Sequence, residues 1–170
     1  METQEFERFG IYGFKIAYPK ICQVQFNAKS RREDGDVAFQ FPNKDRIFLT
    51  WGSLQKLSGK LHSVEEHAEF SLNTISKTKG VKGLERLSRD SVMVNSHRAA
   101  YNSVRLEQAP GGLLIRPKAI SQSAFSFHIH CENSSRYFVI YTLVSEAESQ
   151  EFSRLMRTMV DSFKCHQESA

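Results

Sequence analysis

Between Gly13 and Trp51 apolar and polar residues alternate with a period of two, the spacing of half-buried strands. Phe14, Ile16 and Tyr18 share one face of a strand that Pro19 ends. In Ile21 to Ala28, Cys22, Val24 and Phe26 share one face and Gln23 and Gln25 take the other. A polar turn around Asp34-Gly35 follows. The runs Val37-Phe39-Phe41 and Ile47-Leu49-Trp51 then flank Pro42-Asn43-Lys44-Asp45, a composition suited to a hairpin connection. The pattern therefore predicts four short strands, preceded by a lead-in over residues 1–8.

After a polar linker through Gly52 and Gly59 the period changes to that of a helix. Ser63 and Glu66 have the spacing of a capping box. Val64, Ala68, Leu72 and Ile75 make one apolar stripe, and Gly80 stands where a left-handed helix end is expected. Strand patterns return over 84–94 and 98–106 around an Asn95-Ser96 turn, with a slip of parity between Leu87 and Val92 that suggests a bulge or a late start to pairing. Pro110-Gly111-Gly112 reads as a loop, 113–117 is ambiguous, and Phe125 to Cys131 alternates cleanly.

The run from Tyr137 to Val144 is apolar on both parities, so both of its faces need cover and it belongs at the centre of a sheet. A last helix is expected from Ser145, with Glu148 completing a capping box. Its stripe is Phe152, Leu155, Met156, Met159, Val160 and Phe163. The strand joins are mostly too short for crossovers, which favours antiparallel pairing. The expected fold is α+β: one mainly antiparallel sheet of about seven to nine strands, covered by a helix on each face as an α/β/α sandwich.

Composition adds bounds. With 170 residues, 40% hydrophobic, 25% charged and 13 Phe, the chain has the makeup of a single globular domain over residues 1–170, with short flexible ends at about 1–8 and 165–170. The net charge of +4 is spread over short basic clusters, Lys29 with Arg31 and Arg32, then Lys77, Lys79 and Lys82. No stripe typical of a dedicated nucleic-acid binder is present, which leaves weak binding of anionic polymers through Lys77, Lys79 and Lys82 as a minor reading. The start of the chain has no basic and apolar leader pattern, and its longest apolar run falls short of the roughly 20 residues of a spanning helix. A soluble, cytoplasmic protein is expected, unless a leader was trimmed from a longer precursor.

Candidate chemistry is sparse. His128 and His130 lie two apart on a strand and project from the same face, so both imidazoles could reach one zinc ion, with His97 or Glu132 as candidate further ligands; Cys131 faces the other way. The plain alternative is a polar strand face. His62 and His67 are five apart, which breaks the zinc-protease spacing, and Ser63 as cap leaves His62 outside the helix. Cys22, Cys131 and Cys165 are widely spaced and read as reduced thiols, the first two in the core and Cys165 in an exposed tail. No nucleophile elbow, phosphate-cradling loop or dinucleotide fingerprint occurs in the sequence, and the expectation is a domain that is not an enzyme.

Several local phrases resemble the PsbP-like family, whose α/β/α sandwich is shared with the Ran-binding Mog family. They are Gly13-Phe14 leading to Tyr18-Pro19, Val37-Ala38-Phe39 with Pro42, the capped helix from Ser63, the hairpin at Val94-Asn95, and Tyr137 to Val144 followed by a helix finishing Asp161-Ser162-Phe163-Lys164. The chain departs from the family at Ile21-Cys22, where a Trp is common, and at Ser96, where Gly is common. The resemblance implies a noncatalytic accessory domain that binds another protein. The alternative is a domain that binds a metal or small ligand through His128 and His130.

Overall fold

The computed structural model describes residues 4–109 and 118–167. Phe6–Ile11 (β1) and Phe14–Pro19 (β2) pair as a ribbon separate from the main sheet, joined at Tyr12 and Gly13, whose φ angles of 52° and 83° are those of a tight hairpin turn. The strand β1 begins inside the stretch 1–8 expected as a lead-in, taking its last three residues and running on to Ile11. Only Phe9 and Ile11 of this strand are half-buried, and Glu5, Glu7 and Arg8 hide its alternation.

The other strands are Gln23–Phe26 (β3), Gly35–Gln40 (β4), Arg46–Ser53 (β5), Val81–Val94 (β6), His97–Gln108 (β7), Ile120–Cys131 (β8) and Arg136–Ser145 (β9). They form a seven-stranded sheet in the order β3-β4-β5-β9-β8-β7-β6, and every described pairing in it is antiparallel. The strand β9 is in the middle, as its two apolar faces require. Leu54–Ser58 (α1) follows β5 directly, so the expected polar linker is partly strand and partly helix. Within β5, Gly52 pairs with Tyr137, and a Cβ there would lie 2.5 Å from the tyrosine ring; glycine lets that ring lie flat against the neighbouring strand. The slip expected between Leu87 and Val92 is a register shift at the start of that span, between Arg86 and Ser88, and a second shift lies between Val81 and Gly83. The loop expected at Pro110-Gly111-Gly112 and the ambiguous stretch 113–117 lie outside the described residues.

Val64–Ser76 (α2) and Ser149–Ser162 (α3) cover opposite faces. Ser63 caps α2 by accepting a hydrogen bond from the Glu66 amide at 3.1 Å, while Glu66 accepts from the His62 amide at 2.8 Å, so His62 stays outside the helix. The helix ends earlier than expected, with Lys77 as its cap; Gly80, at φ 96°, opens β6 instead. Val64, Ala68 and Leu72 pack on Ala100, Val104 and Leu106 of β7. On the other face Phe152, Leu155, Met156, Met159 and Val160 of α3 join Phe125, Phe127, Ile129, Phe138 and Ile140, together with Phe14 and Ile16 of the ribbon. The last helix begins at Ser149 rather than Ser145, because Ser145 is still paired with Gln122 in the sheet ladder and Glu146–Glu148 form a 3-10 turn first. Ser145 donates its hydroxyl hydrogen to Glu148 at 2.7 Å. Among the described residues no helix is long and apolar enough to cross a membrane.

Candidate functional site

Two clusters of chemistry-bearing side chains meet at the end of the sheet where β7 begins and β8 ends. They lie on opposite faces of it. Because Ala99 pairs with Ile129, one antiparallel step further brings His97 beside Cys131, both on the α3 face; His128 and His130 alternate to the α2 face. A cleft of about 720 Å³ wraps this end, with His97, Arg98, His130, Glu132, Cys165 and His166 in its wall.

On the α2 face, His67 of the helix joins the two strand histidines. The His128 Nε2 lies 3.0 Å from the Ser71 hydroxyl, and the His130 Nε2 lies 3.2 Å from the His67 Nδ1, so a single proton is shared between His67 and His130. The His67 ring stands edge-on to His128 and to Tyr137. Burial disfavours the charged form of each imidazole: it lowers His128 to about 3 and His67 to about 4, and lowers His130 against the pull of Glu65. All three are neutral at physiological pH. His128 and His130 thus share a face, as expected, but each is engaged by a different partner on α2. The Nδ1 of His128 and both amide atoms of the adjacent-strand Asn102 are buried without a protein partner. The expected further ligands, His97 and Glu132, do not join this group; His97 lies on the other face.

On the α3 face, the chain leaving α3 returns to the sheet. Lys15 and Lys164 exchange backbone hydrogen bonds at 2.9 Å, Asn95 donates to the Phe163 carbonyl, and Arg136 donates to the Cys165 carbonyl at 3.4 Å. Arg136 is itself buried, 3% exposed, and held by the carbonyls of Tyr12 and Arg32 and by the rings of Phe14 and Phe138. These bonds place Cys165 against Cys131, and the two form a disulfide. The expectation of reduced thiols and of an exposed Cys165 is therefore corrected: Cys165 is 3% exposed, because Phe163 is buried in the core and draws the following residues in behind it. Cys22 is buried outside the disulfide, and burial pushes its thiol up to about 12, as befits an inert core residue.

The His166 Nδ1 lies 3.2 Å from the Cys165 sulfur and 3.4 Å from the Cys131 sulfur, and the His166 ring stands edge-on to His97 at 5.2 Å. Burial and the neighbouring His166 hold His97 below the usual imidazole range. His97, Cys131, Cys165 and His166 bring their ligating atoms within 4.8 Å of one another, the one such group of three or more among the described residues. The sequence pattern points to His97 and Cys131 separately and not to this grouping, since Cys165 and His166 read as part of the tail. The available signal was the apolar Phe163 just before them. The basic residues Lys77, Lys79 and Lys82 are all exposed at the α2–β6 connection.

No protein-family model matches the chain, and no curated protein matches it. Solved structures do share its fold. The cyanobacterial PsbP (CyanoP) of Synechocystis sp. PCC 6803 is similar over 95% of this chain and 93% of its own, with a TM-score of 0.65 at 10% identity. The Ran-binding protein Mog1p of Saccharomyces cerevisiae is similar over 95% of this chain and 96% of its own, with a TM-score of 0.61 at 12% identity. The chain thus has the PsbP/Mog-type fold that its local phrases suggested.

Proposed function

We propose that this chain is a noncatalytic accessory domain that binds another protein through the half of its sheet that α2 leaves bare. The observation that carries this reading is the stacked pair Phe48 and Tyr141, with ring centroids 5.0 Å apart and planes at 14°, on the α2 side of β5 and β9. The helix α2 packs over β6, β7 and β8, and Tyr141 remains 37% exposed. Thr50 and Arg46 flank the pair on the same face. Aromatic residues and arginine are the types that carry most energy at protein interfaces, and an aromatic stack already formed loses little side-chain freedom on docking. The shared fold with Mog1p, itself a Ran-binding protein, supports the class of function and leaves the partner's identity open.

The test is affinity capture from lysate of the source organism with the native chain, with Tyr141→Lys, and with Arg154→Glu on the exposed side of α3. The reading expects one protein retained in stoichiometric amount by the native chain and by Arg154→Glu, and lost with Tyr141→Lys, while all three melt alike. Retention of the same protein by Tyr141→Lys, or no stoichiometric partner under any lysate condition, overturns it.

A further inference from the structure

We propose that His97, Cys131, Cys165 and His166 form a zinc site that fastens the C-terminal segment to the end of the sheet, and that the Cys131–Cys165 disulfide is the metal-free, oxidised form of the same site. A disulfide alone uses neither imidazole. Yet His166 Nδ1 lies 3.2 and 3.4 Å from the two sulfurs, and all four ligating atoms fall within 4.8 Å of one another. Tetrahedral zinc with Zn–S of about 2.3 Å and Zn–N of about 2.0–2.1 Å needs neighbouring ligand atoms about 3.3–3.8 Å apart, so modest side-chain rotation accommodates the ion. Two thiolates with two neutral imidazoles form a donor set that favours zinc over the hard oxygen-seeking cations.

The backbone is already arranged for this. His97 follows the tight Asn95-Ser96 turn, where both residues have positive φ, and Cys131 ends β8 on the same face. The segment carrying Cys165 and His166 is fixed on one side by the Lys15–Lys164 pairing and on the other by Arg136. Ligands from three separated parts of the chain thus meet at one point without a loop having to order itself. A closed site of four protein ligands leaves zinc no open position for substrate, so its role is structural. The site shares no residue with the Phe48–Tyr141 patch, and either proposal can fail without the other.

The interconversion balances. Two electrons and two protons from a dithiol reductant, which is oxidised to its own disulfide, convert Cys131–Cys165 to two thiols. Zinc then displaces both thiol protons to solvent. In the reverse direction hydrogen peroxide takes two electrons from the two thiolate sulfurs and two protons from solvent, giving two waters, the disulfide and free Zn²⁺.

The full chain is reduced, incubated with zinc chloride, desalted under inert gas and assayed for metal by elemental mass spectrometry. We expect about one zinc per chain, lost at least tenfold in Cys131→Ser with Cys165→Ser, reduced in His97→Asn and His166→Asn, and unchanged in His128→Ala with His130→Ala. Cobalt in place of zinc should show the visible bands of a tetrahedral ion together with a thiolate charge-transfer band, a readout that a merely destabilised variant does not mimic. Peroxide should release the zinc to a chelating dye as the disulfide forms. Zinc no higher than in the double-serine variant overturns the proposal, as does cobalt binding without the thiolate band. Metal that disappears with His128 and His130 while surviving loss of both cysteines also overturns it.

Discussion

At the scale of single residues, the buried histidines of the α2 face set the response to acid. In the unfolded chain an imidazole titrates near 6.5, whereas burial lowers His67 to about 4 and His128 to about 3. From about pH 7.5 upward both are essentially neutral in both states and contribute almost no pH dependence. As pH falls from there toward the folded values, the unfolded chain takes up protons that the folded chain refuses, and stability declines. At pH 5 the loss amounts to about 2 kcal/mol for each histidine as an upper figure. Urea denaturation at a series of pH values should show this, and His67→Gln should flatten the curve between about pH 7 and pH 5. Parallel curves for the two proteins would remove His67 as a source of acid sensitivity. None of this was legible from sequence beyond the shared parity of His128 and His130. Their partners His67 and Ser71 stand one turn apart on α2, and only the packing of that helix across β8 brings them together.

At the scale of elements, local signals and packing differ in weight. The capping hydroxyl of Ser63 is half-exposed and satisfies one amide, so Ser63→Ala should cost about 1 kcal/mol. Met156 is fully buried in the α3 stripe, and Met156→Ala should cost about 2–5 kcal/mol, since the cavity it leaves lies between helix and sheet. Chemical denaturation of the two variants ranks them; a Ser63→Ala loss equal to or larger than that of Met156→Ala would mean that capping, rather than burial, anchors these helices. Both elements were readable because their apolar positions recur at helical spacing with a cap in front. The elements that escaped were those whose residues do not alternate visibly. In β1, Phe6 is 37% exposed and charged residues stand on both parities, so the strand is held by pairing to β2 rather than by its own pattern. The short α1 carries only Leu54 and Leu57 on its inner side, and five residues are too few to show a period.

At the scale of the whole molecule, the order of strands follows from one feature that could be read and several that could not. The two apolar faces of β9 demand a central place, and it has β5 on one side and β8 on the other. That β5 is one of those neighbours could not be inferred, because its residues pair with β9 across most of the chain and no local rule connects them. The same long reach gathers His97, Cys131, Cys165 and His166, none of which has a metal-site spacing along the sequence. This topology makes a dynamic prediction. The strand β9 has ladder partners on both sides and is buried on the α3 face by Phe138, Ile140 and Val144, whereas β3 is an edge strand of four residues with no buried side chain. Amides open with a free energy that tracks such local burial and pairing. Hydrogen exchange read by mass spectrometry should therefore find β9 and the facing half of β8 slowest, and β3 exchanging well before them. Slow exchange in β3 comparable to that in β9 would show that something other than this sheet's own pairing protects its edge, and would direct attention to a partner bound there.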